Sequence, residues 1–498
     1  MDLSPDACYR AIATRDARFD GRLFIGVKTT GIYCRPVCPA RTPKRENVTF
    51  HPTAAAAEEA GFRACLRCRP ETSPDIGAWL GSSATVRRAL ALIEGGALDE
   101  GDVEALAGRL GVGERQLRRL FREHLGASPV GVAQTRRVLL AKQLIHETDL
   151  PMAEVALAAG FGSVRRFNET FQRLYRRPPG ALRRRGPRPG GGDAVRLLLR
   201  YRPPYDWDGL LDFLRLRAIP GVESVEDGVY RRTITVGPEA GTLAVSPGPD
   251  DQLAVEVRFP TLTALPTILA RVRRVFDLAA DPVRIGEQLG RDPALAAMVA
   301  ARPGLRVPGA WDGFELAARA ILGQQVTVGA AVNMAGRLAE AYGDPLPEAW
   351  AQTGLTRIFP RPEAMAGQDV AAMGMMPGAR ARALTAVAAA VVADPALFGP
   401  QASLEAAVEK LKALPGIGEW TAQYIAMRQL REPDAFPAAD IGLMRALETD
   451  GGRPSPAQLL ARAEAWRPWR AYAALHLWAA DGAAQSARKA AGDARRAA

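Results

Sequence analysis

The stretch FIGVKTTGIYCRPVCPARTPKRENVTF, Phe24–Phe50, carries two cysteines four residues apart, Cys34 and Cys38. A second pair, Cys65 and Cys68, lies in AAAAEEAGFRACLRCRP, Ala54–Pro70, after a gap of 26 residues. Two short-spaced pairs closed by one loop match the tetrahedral all-sulfur arrangement of a zinc site. Zinc holds its cysteines as thiolates, so four of them around one dication leave a net charge of about 2−. From the spacing alone, a purely structural zinc ribbon is the favoured reading. Cys8 stands outside both pairs and is expected to be a buried or spare thiol, and no cysteine follows Cys68. Disulfides would not be confined to one end of a large chain, whereas a local metal site would be.

Around this module, a chain of 498 residues implies about three or four domains. With 48% hydrophobic and 24% charged residues it has the composition of a soluble globular protein. The nearest approach to a membrane span, Leu384–Val392, is stopped by Asp394, and the start MDLSPDACYR does not read as a signal peptide. The expectation is a cytoplasmic protein with no membrane partner. Lys and Arg number 65 against 54 Asp and Glu, a net charge of +11, which favours a polyanion over a small acidic metabolite.

The residues flanking the cysteines resemble the N-terminal domain of the Ada family of methylation-damage sensors over roughly residues 1–75. The resemblance implies one Zn²⁺ held by Cys34, Cys38, Cys65 and Cys68. It also implies that Cys34 is the nucleophile that takes a methyl group from a DNA methylphosphotriester, once per molecule. Thr30, Arg41 and Arg67 fall at positions that contact the DNA backbone in that family. Methylating Cys34 would take the cluster from about 2− to about 1−. One unit charge some 6 Å from a phosphate is worth roughly 0.7 to 3 kcal/mol, so the methylated form is expected to bind DNA more tightly.

Beyond the turn-rich ETSPDIGAWLGSSAT lies an internal repeat of about 49 residues. Leu106-Ala107, Gly111, Arg115, Leu117 and Phe121 recur as Val155-Ala156, Gly160, Arg165, Phe167 and Phe171. Each copy reads as a helix, a glycine turn and a second helix with an apolar stripe. Ser128-Pro129 opens a helix expected to run through Glu147, and Ser163 is expected to cap the second recognition helix. The polar faces carry Arg115, Gln116, Arg118 and Arg119 in one copy and Arg165, Arg166 and Asn168 in the other. Arginine and amide side chains read guanine and adenine edges, although such a face is also what any solvated helix shows. Residues 84–185 resemble an AraC-type DNA-binding domain, implying a sequence-specific operator reader.

Arg183–Arg185 and GPRPGGG, residues 186–192, read as a flexible basic linker, which predicts two halves behaving as beads on a string. VRLLLRY, RRTITV, GTLAVS and LAVEVRF then read as strands, with a helix over Asp206–Ala218, and from about Val283 the pattern is wholly helical. YRPPYDWDGLLDFL resembles the N-terminal domain of AlkA-type 3-methyladenine glycosylases.

Leu414-Pro415-Gly416-Ile417-Gly418 is a glycine hairpin between two helices, suited to holding a DNA phosphate on backbone N–H groups. With ILGQQVTV upstream (Ile321–Val328), FPAADIGLMRAL downstream (Phe436–Leu447) and WRPWRAYAALHLW (Trp466–Trp478), it resembles the helix-hairpin-helix glycosylase superfamily, AlkA branch, over about residues 194–482. Asp440 falls at that family's catalytic aspartate, and it is also a natural helix N-cap. The resemblance implies a pocket of Phe213, Trp420, Tyr424 and Trp478, DNA contacts at Gly416, Gly418 and Gln325, and a flipped base. Gln325 stands where a relative inserts an apolar wedge. Bifunctional relatives place a lysine where this chain has Trp420, and no cysteine follows the hairpin, so a monofunctional enzyme without an iron–sulfur cluster is expected. The four histidines form no ligand cluster in the sequence.

The expected fold is therefore multidomain, mainly α with α+β parts. It comprises a small four-cysteine zinc domain (1–75), a duplicated helix-turn-helix domain (84–185), a linker (186–192), an α+β domain (193–282) and an all-α helix-hairpin-helix domain (283–484). The expected partners are double-stranded DNA, as alkylated substrate and as promoter operator, and RNA polymerase, with the protein a monomer. Two alternatives remain: a regulator whose second half only binds damaged DNA, and a repair enzyme that its first half merely tethers.

Overall fold

In the computed structural model, which describes residues 4–74, 84–183, 194–352, 354–449 and 452–497, the N-terminal module is built on a four-stranded sheet. Its strands are β1 (Phe24–Val27), β2 (Ile32–Cys34), β3 (Val48–His51) and β4 (Arg63–Ala64), in the order β3-β1-β2-β4. β2 pairs antiparallel to β1 and parallel to β4, with Tyr33 opposite Ala64. That parallel register places Cys34 and Cys65, the next residues along, side by side at one end of the sheet. Cys8 packs in the core beneath with Leu23 and Ile25, a buried thiol as expected.

The repeated unit forms as its sequence implies. The first recognition helix (Glu114–Leu125) buries Leu117, Phe121 and Leu125, and the second (Val164–Tyr175) buries Phe167, Phe171 and Tyr175. Between them the central helix runs over Pro129–Glu147, its first turn closed by Ser128, whose hydroxyl accepts from Gly131 N at 3.0 Å. Ser163 caps the second recognition helix through Arg166 N.

The second sheet has five strands: β5 (Val195–Arg200), β6 (Glu223–Glu226), β7 (Val229–Val236), β8 (Glu239–Pro247) and β9 (Gln252–Arg258), in the order β5-β9-β8-β7-β6. The helix expected over Asp206–Ala218 is shorter, Trp207–Arg215, with Asp206 as its cap. Two features were not expected. β6 carries Glu223 as an inward residue bonded to Tyr230 and Arg319, so its core face does not look apolar in sequence. The helical region opens at Leu265–Val275, ahead of Val283.

By packing, the chain divides into two units: Met1–Tyr201 with Ile234–Arg273 and Leu278–Ala280, and Arg202–Thr233 with Arg274–Asp277 and Asp281–Ala498. The proposed linker at 186–192 lies outside the described residues. Within the first unit, however, the chain beyond it is docked and not merely tethered. Gln143 Nε2 donates to Leu198 O at 2.8 Å, and Leu198 N donates to Glu147 Oε2 at 3.0 Å, tying β5 to the central helix. Glu147 also pairs with Arg69 of the zinc module at 2.9 Å. The beads-on-a-string picture therefore fails on this side of the molecule, because the central helix presents side-chain donors and acceptors to the backbone of β5.

Candidate metal centre and base-binding site

The four sulfur atoms of Cys34, Cys38, Cys65 and Cys68 lie within 4.8 Å of one another. Soft thiolates at that mutual distance suit a tetrahedral zinc ion, and these four residues form one zinc site. Backbone N–H groups point at three of the sulfurs: Arg35 N at Cys68 Sγ (3.4 Å), Arg67 N at Cys65 Sγ (3.3 Å), and Ala40 N at Cys38. Beneath the cluster, Arg35 is buried and bonded to Asp20, to Cys68 O at 3.1 Å and to Thr72 Oγ1 at 2.8 Å. The guanidinium charge is matched by Asp20, buried beside it. Sequence reasoning missed Arg35 and Asp20, since nothing local marks either as buried.

Thr30, Arg41 and Arg67 are all exposed on the zinc module. The module is joined to the central helix by buried polar contacts. Lys142, fully buried, donates to Cys65 O at 3.2 Å and pairs with Glu71 at 2.6 Å. Glu58 accepts from Tyr33 Oη at 3.0 Å and from Thr135 Oγ1 at 2.8 Å, and burial pushes its carboxyl up to about 7. On the recognition helices, Arg115, Gln116, Arg118, Arg119, Arg165, Arg166 and Asn168 are all exposed. Arg118 is paired with Glu114, and Arg165 with Glu169.

In the second unit, a cavity of about 840 Å³ is lined by Phe213, Trp420, Tyr424, Asp440 and Trp478, so the sequence-predicted pocket residues do converge. Asp440 closes the helix Ile441–Ala446 by accepting from Leu443 N at 3.0 Å. The capping role foreseen for it is thus real, and it leaves the carboxylate facing the cavity. Trp420 Nε1 donates to Asp440 Oδ2 at 2.7 Å and Trp478 Nε1 to Oδ1 at 2.9 Å. Three N–H donors fix one carboxylate.

Trp420 and Tyr424, one turn apart on the helix Glu419–Arg428, stack with centroids 5.1 Å apart and planes at 10°, and Trp478 meets Tyr424 edge-on at 6.3 Å. Two cations that sequence reasoning passed over complete the wall. Arg217 lies 3.8 Å from the centre of the Phe213 ring and Arg428 lies 4.9 Å from it. Arg428 Nη1 donates to Tyr424 Oη at 2.6 Å. Burial raises the Tyr424 phenol, but Arg428 and Arg217 outweigh it and its net shift is downward from 10. The missed signal was helical spacing, because Arg217 follows Phe213 by four residues and Arg428 follows Tyr424 by four.

The hairpin sits between the helices Leu404–Lys412 and Glu419–Arg428 with Gly416 and Gly418 exposed. Gly416 has φ of +79°, and a side chain there would come 2.4 Å from Ala383 Cβ. Gln324 Nε2 bonds Gly416 O at 2.9 Å, bracing the turn, and the neighbouring Gln325 is exposed with φ of 57°. Among the described residues no helix is long and apolar enough to cross a membrane.

Comparison with known proteins agrees with this geometry segment by segment. Residues 7–71 match the metal binding domain of Ada, 106–185 a helix-turn-helix domain, 196–312 the AlkA N-terminal domain, and 318–471 the HhH-GPD superfamily of base excision DNA repair proteins. A Mycobacterium tuberculosis protein named "Probable bifunctional transcriptional activator/DNA repair enzyme AlkA" is 43% identical over 478 residues, covering 95% of this chain and 96% of that one. The Escherichia coli "DNA-3-methyladenine glycosylase 2" is 36% identical over 290 residues, covering 57% of this chain and 97% of its own. A 3-methyladenine DNA-glycosylase structure from Archaeoglobus fulgidus shares the fold at a TM-score of 0.50 and 23% identity, over 57% of this chain and 97% of that one. With a zinc site, a duplicated helix-turn-helix and an aspartate-bearing helix-hairpin-helix unit in one chain, and a 43% identical relative covered over 96% of its length, this chain belongs to the family of bifunctional AlkA-type transcriptional activator/DNA repair proteins.

Proposed function

We propose that this chain both senses DNA methylation damage and excises damaged bases. In this reading Cys34 takes a methyl group from a DNA methylphosphotriester, and the methylated protein activates transcription at a specific operator. The second half hydrolyses the N-glycosidic bond of N-alkylated purines such as 3-methyladenine. Residues 1–75 act as methyl acceptor, 84–185 as operator reader, and 193–282 with 283–484 as a monofunctional glycosylase. The protein works as a monomer on double-stranded DNA and engages RNA polymerase at the promoter.

One observation carries the glycosylase reading: a carboxylate pinned by two indole N–H groups and a helix N-terminus at the wall of an aromatic cavity. Breaking the bond between C1′ and the base leaves positive charge on the sugar, which a fixed anion stabilises without reorganising. Asp440 is that anion, and its remaining lone pairs can orient the attacking water. Trp420, Tyr424 and Trp478 supply π faces for a base turned out of the duplex, and cationic alkylpurines stack favourably on such faces. Trp420 has no amine with which to attack C1′, which favours an abasic product over strand cleavage.

On the first half, Cys34, Cys38, Cys65 and Cys68 would hold zinc, which when bound keeps sulfur as thiolate at neutral pH. Cys34 Sγ then attacks the methyl carbon, the bond between that carbon and the phosphate oxygen breaks, and the phosphodiester leaves as an anion. The thioether so formed has no reverse path, so transfer is stoichiometric. N–H groups draw charge from the other three sulfurs, which leaves Cys34 the most nucleophilic. The contacts of Lys142 and Glu58 join the sensor rigidly to the operator reader, so a charge change at Cys34 acts on one DNA-binding surface.

Incubating the protein with dimethyl-sulfate-treated duplex tests both halves together. The expected result is free 3-methyladenine in solution and one methyl group on Cys34 per chain. Methyl transfer without base release would favour a regulator whose second half only binds damage.

A further inference from the structure

A second carboxylate lies beside Asp440. Asp481 stands on the long C-terminal helix that begins at Arg470, three residues beyond Trp478, and its side chain is nearly buried in the wall of the same cavity. Gly442 separates the two acids. A methyl group added to it would lie 3.0 Å from Asp440 Oδ1 and 3.3 Å from Asp481 Oδ2.

Asp481 is bonded on both oxygens by Arg445, at 2.9 Å from Nε and 2.7 Å from Nη2, and Gln485 Nε2 adds a third bond at 2.6 Å. Arg445 is the fifth residue after Asp440, on the short helix that Asp440 caps, and it also lines the cavity. Its side chain is about one-third exposed, so it is free to turn if released.

A free guanidinium here would be harmful to the proposed chemistry. It would sit within reach of the carboxylate that must face a developing sugar cation, and an Arg–carboxylate pair would cancel the charge that the reaction needs. We infer that Asp481 is a positioning residue for base excision: it holds Arg445 away from Asp440 and so keeps the Asp440 charge available to the substrate. Its effect passes through Arg445, and it has no contact of its own with the reacting atoms. This rests on the glycosylase reading given above.

The experiment measures kcat and KM for 3-methyladenine release from alkylated duplex by the full chain and by Asp481→Asn, Arg445→Gln and the double variant. If Asp481 restrains Arg445, Asp481→Asn lowers kcat about tenfold or more, with KM much less affected. Adding Arg445→Gln then raises kcat back toward the parent, because the quenching cation is gone. A purely structural role predicts the opposite, with the double variant as slow as Asp481→Asn or slower. Asp481→Glu, which keeps the ion pair, serves as the second variant should Asp481→Asn fold poorly, and it should retain most of the rate. A parent-like kcat for Asp481→Asn, no recovery in the double variant, or a collapsed rate in a folded Asp481→Glu would overturn the inference alone. Absence of base release by the parent chain would instead overturn the glycosylase reading beneath it.

Discussion

Asp440 shows how one residue meets two demands. Its backbone begins a helix and its Oδ1 caps it, which fixes the side-chain torsion, while the indoles of Trp420 and Trp478 hold the carboxylate plane. Trp478→Phe keeps a ring in the cavity and removes one donor, so kcat for base release should fall about tenfold while the protein stays folded, as rates and far-UV dichroism would show. Glu58 carries a different signature. Burial raises its folded pKa to about 7 from an ordinary 4.5, so the folded protein keeps a proton that the unfolded chain releases. Stability from this group is full below about 4.5 and is lost as pH climbs through about 7. Glu58→Gln should flatten the dependence of Tm on pH over that window and stabilise the protein above it, by up to roughly 3 kcal/mol. The cysteines were legible in the sequence through their spacing, and Asp440 and the aromatic residues through the family resemblance of the motifs around them. Arg35, Asp20, Glu58 and Lys142 were not, because a charged residue inside the protein looks in sequence like one outside it.

At the scale of elements, the caps were readable. Ser128 and Ser163 announce the helices they close, and both accept from the backbone as their positions imply. Helices with a strong apolar stripe were equally plain. β6 escaped because its inward position is Glu223, satisfied by Tyr230 on the neighbouring strand β7 and by Arg319 from a distant part of the chain, a pairing that period-two reasoning cannot foresee. The hairpin turn depends on Gly416, whose φ of +79° and 2.4 Å clearance from Ala383 leave no place for a side chain. Gly416→Ala should therefore weaken binding to duplex DNA of any sequence, by about tenfold or more, and lower Tm by several degrees. A filter-binding series with unrelated duplexes would show whether the loss is uniform.

At the scale of the molecule, a glycine-rich segment invites a reading of two independent halves. Side-chain contacts that no linear motif encodes argue against it for the first unit. Glu147 bridges Arg69 of the zinc module to the amide of Leu198 in β5, with Gln143 on the adjacent carbonyl. Glu147→Ala should speed hydrogen exchange at the Leu198 amide by about tenfold or more, with little change at the amides of the second recognition helix. Equal exchange in both proteins would restore the independent-halves picture. The proposed base excision centres on Asp440, and the proposed sensing on the four-cysteine cluster. The most direct measurement is free-base release from a dimethyl-sulfate-treated duplex by the parent protein and by Asp440→Asn. The expected result is 3-methyladenine from the parent, at least about a hundredfold less from Asp440→Asn, and strands that stay intact until alkali is added. Release that persists in Asp440→Asn would contradict it, as would a parent protein that binds damaged duplex and frees no base.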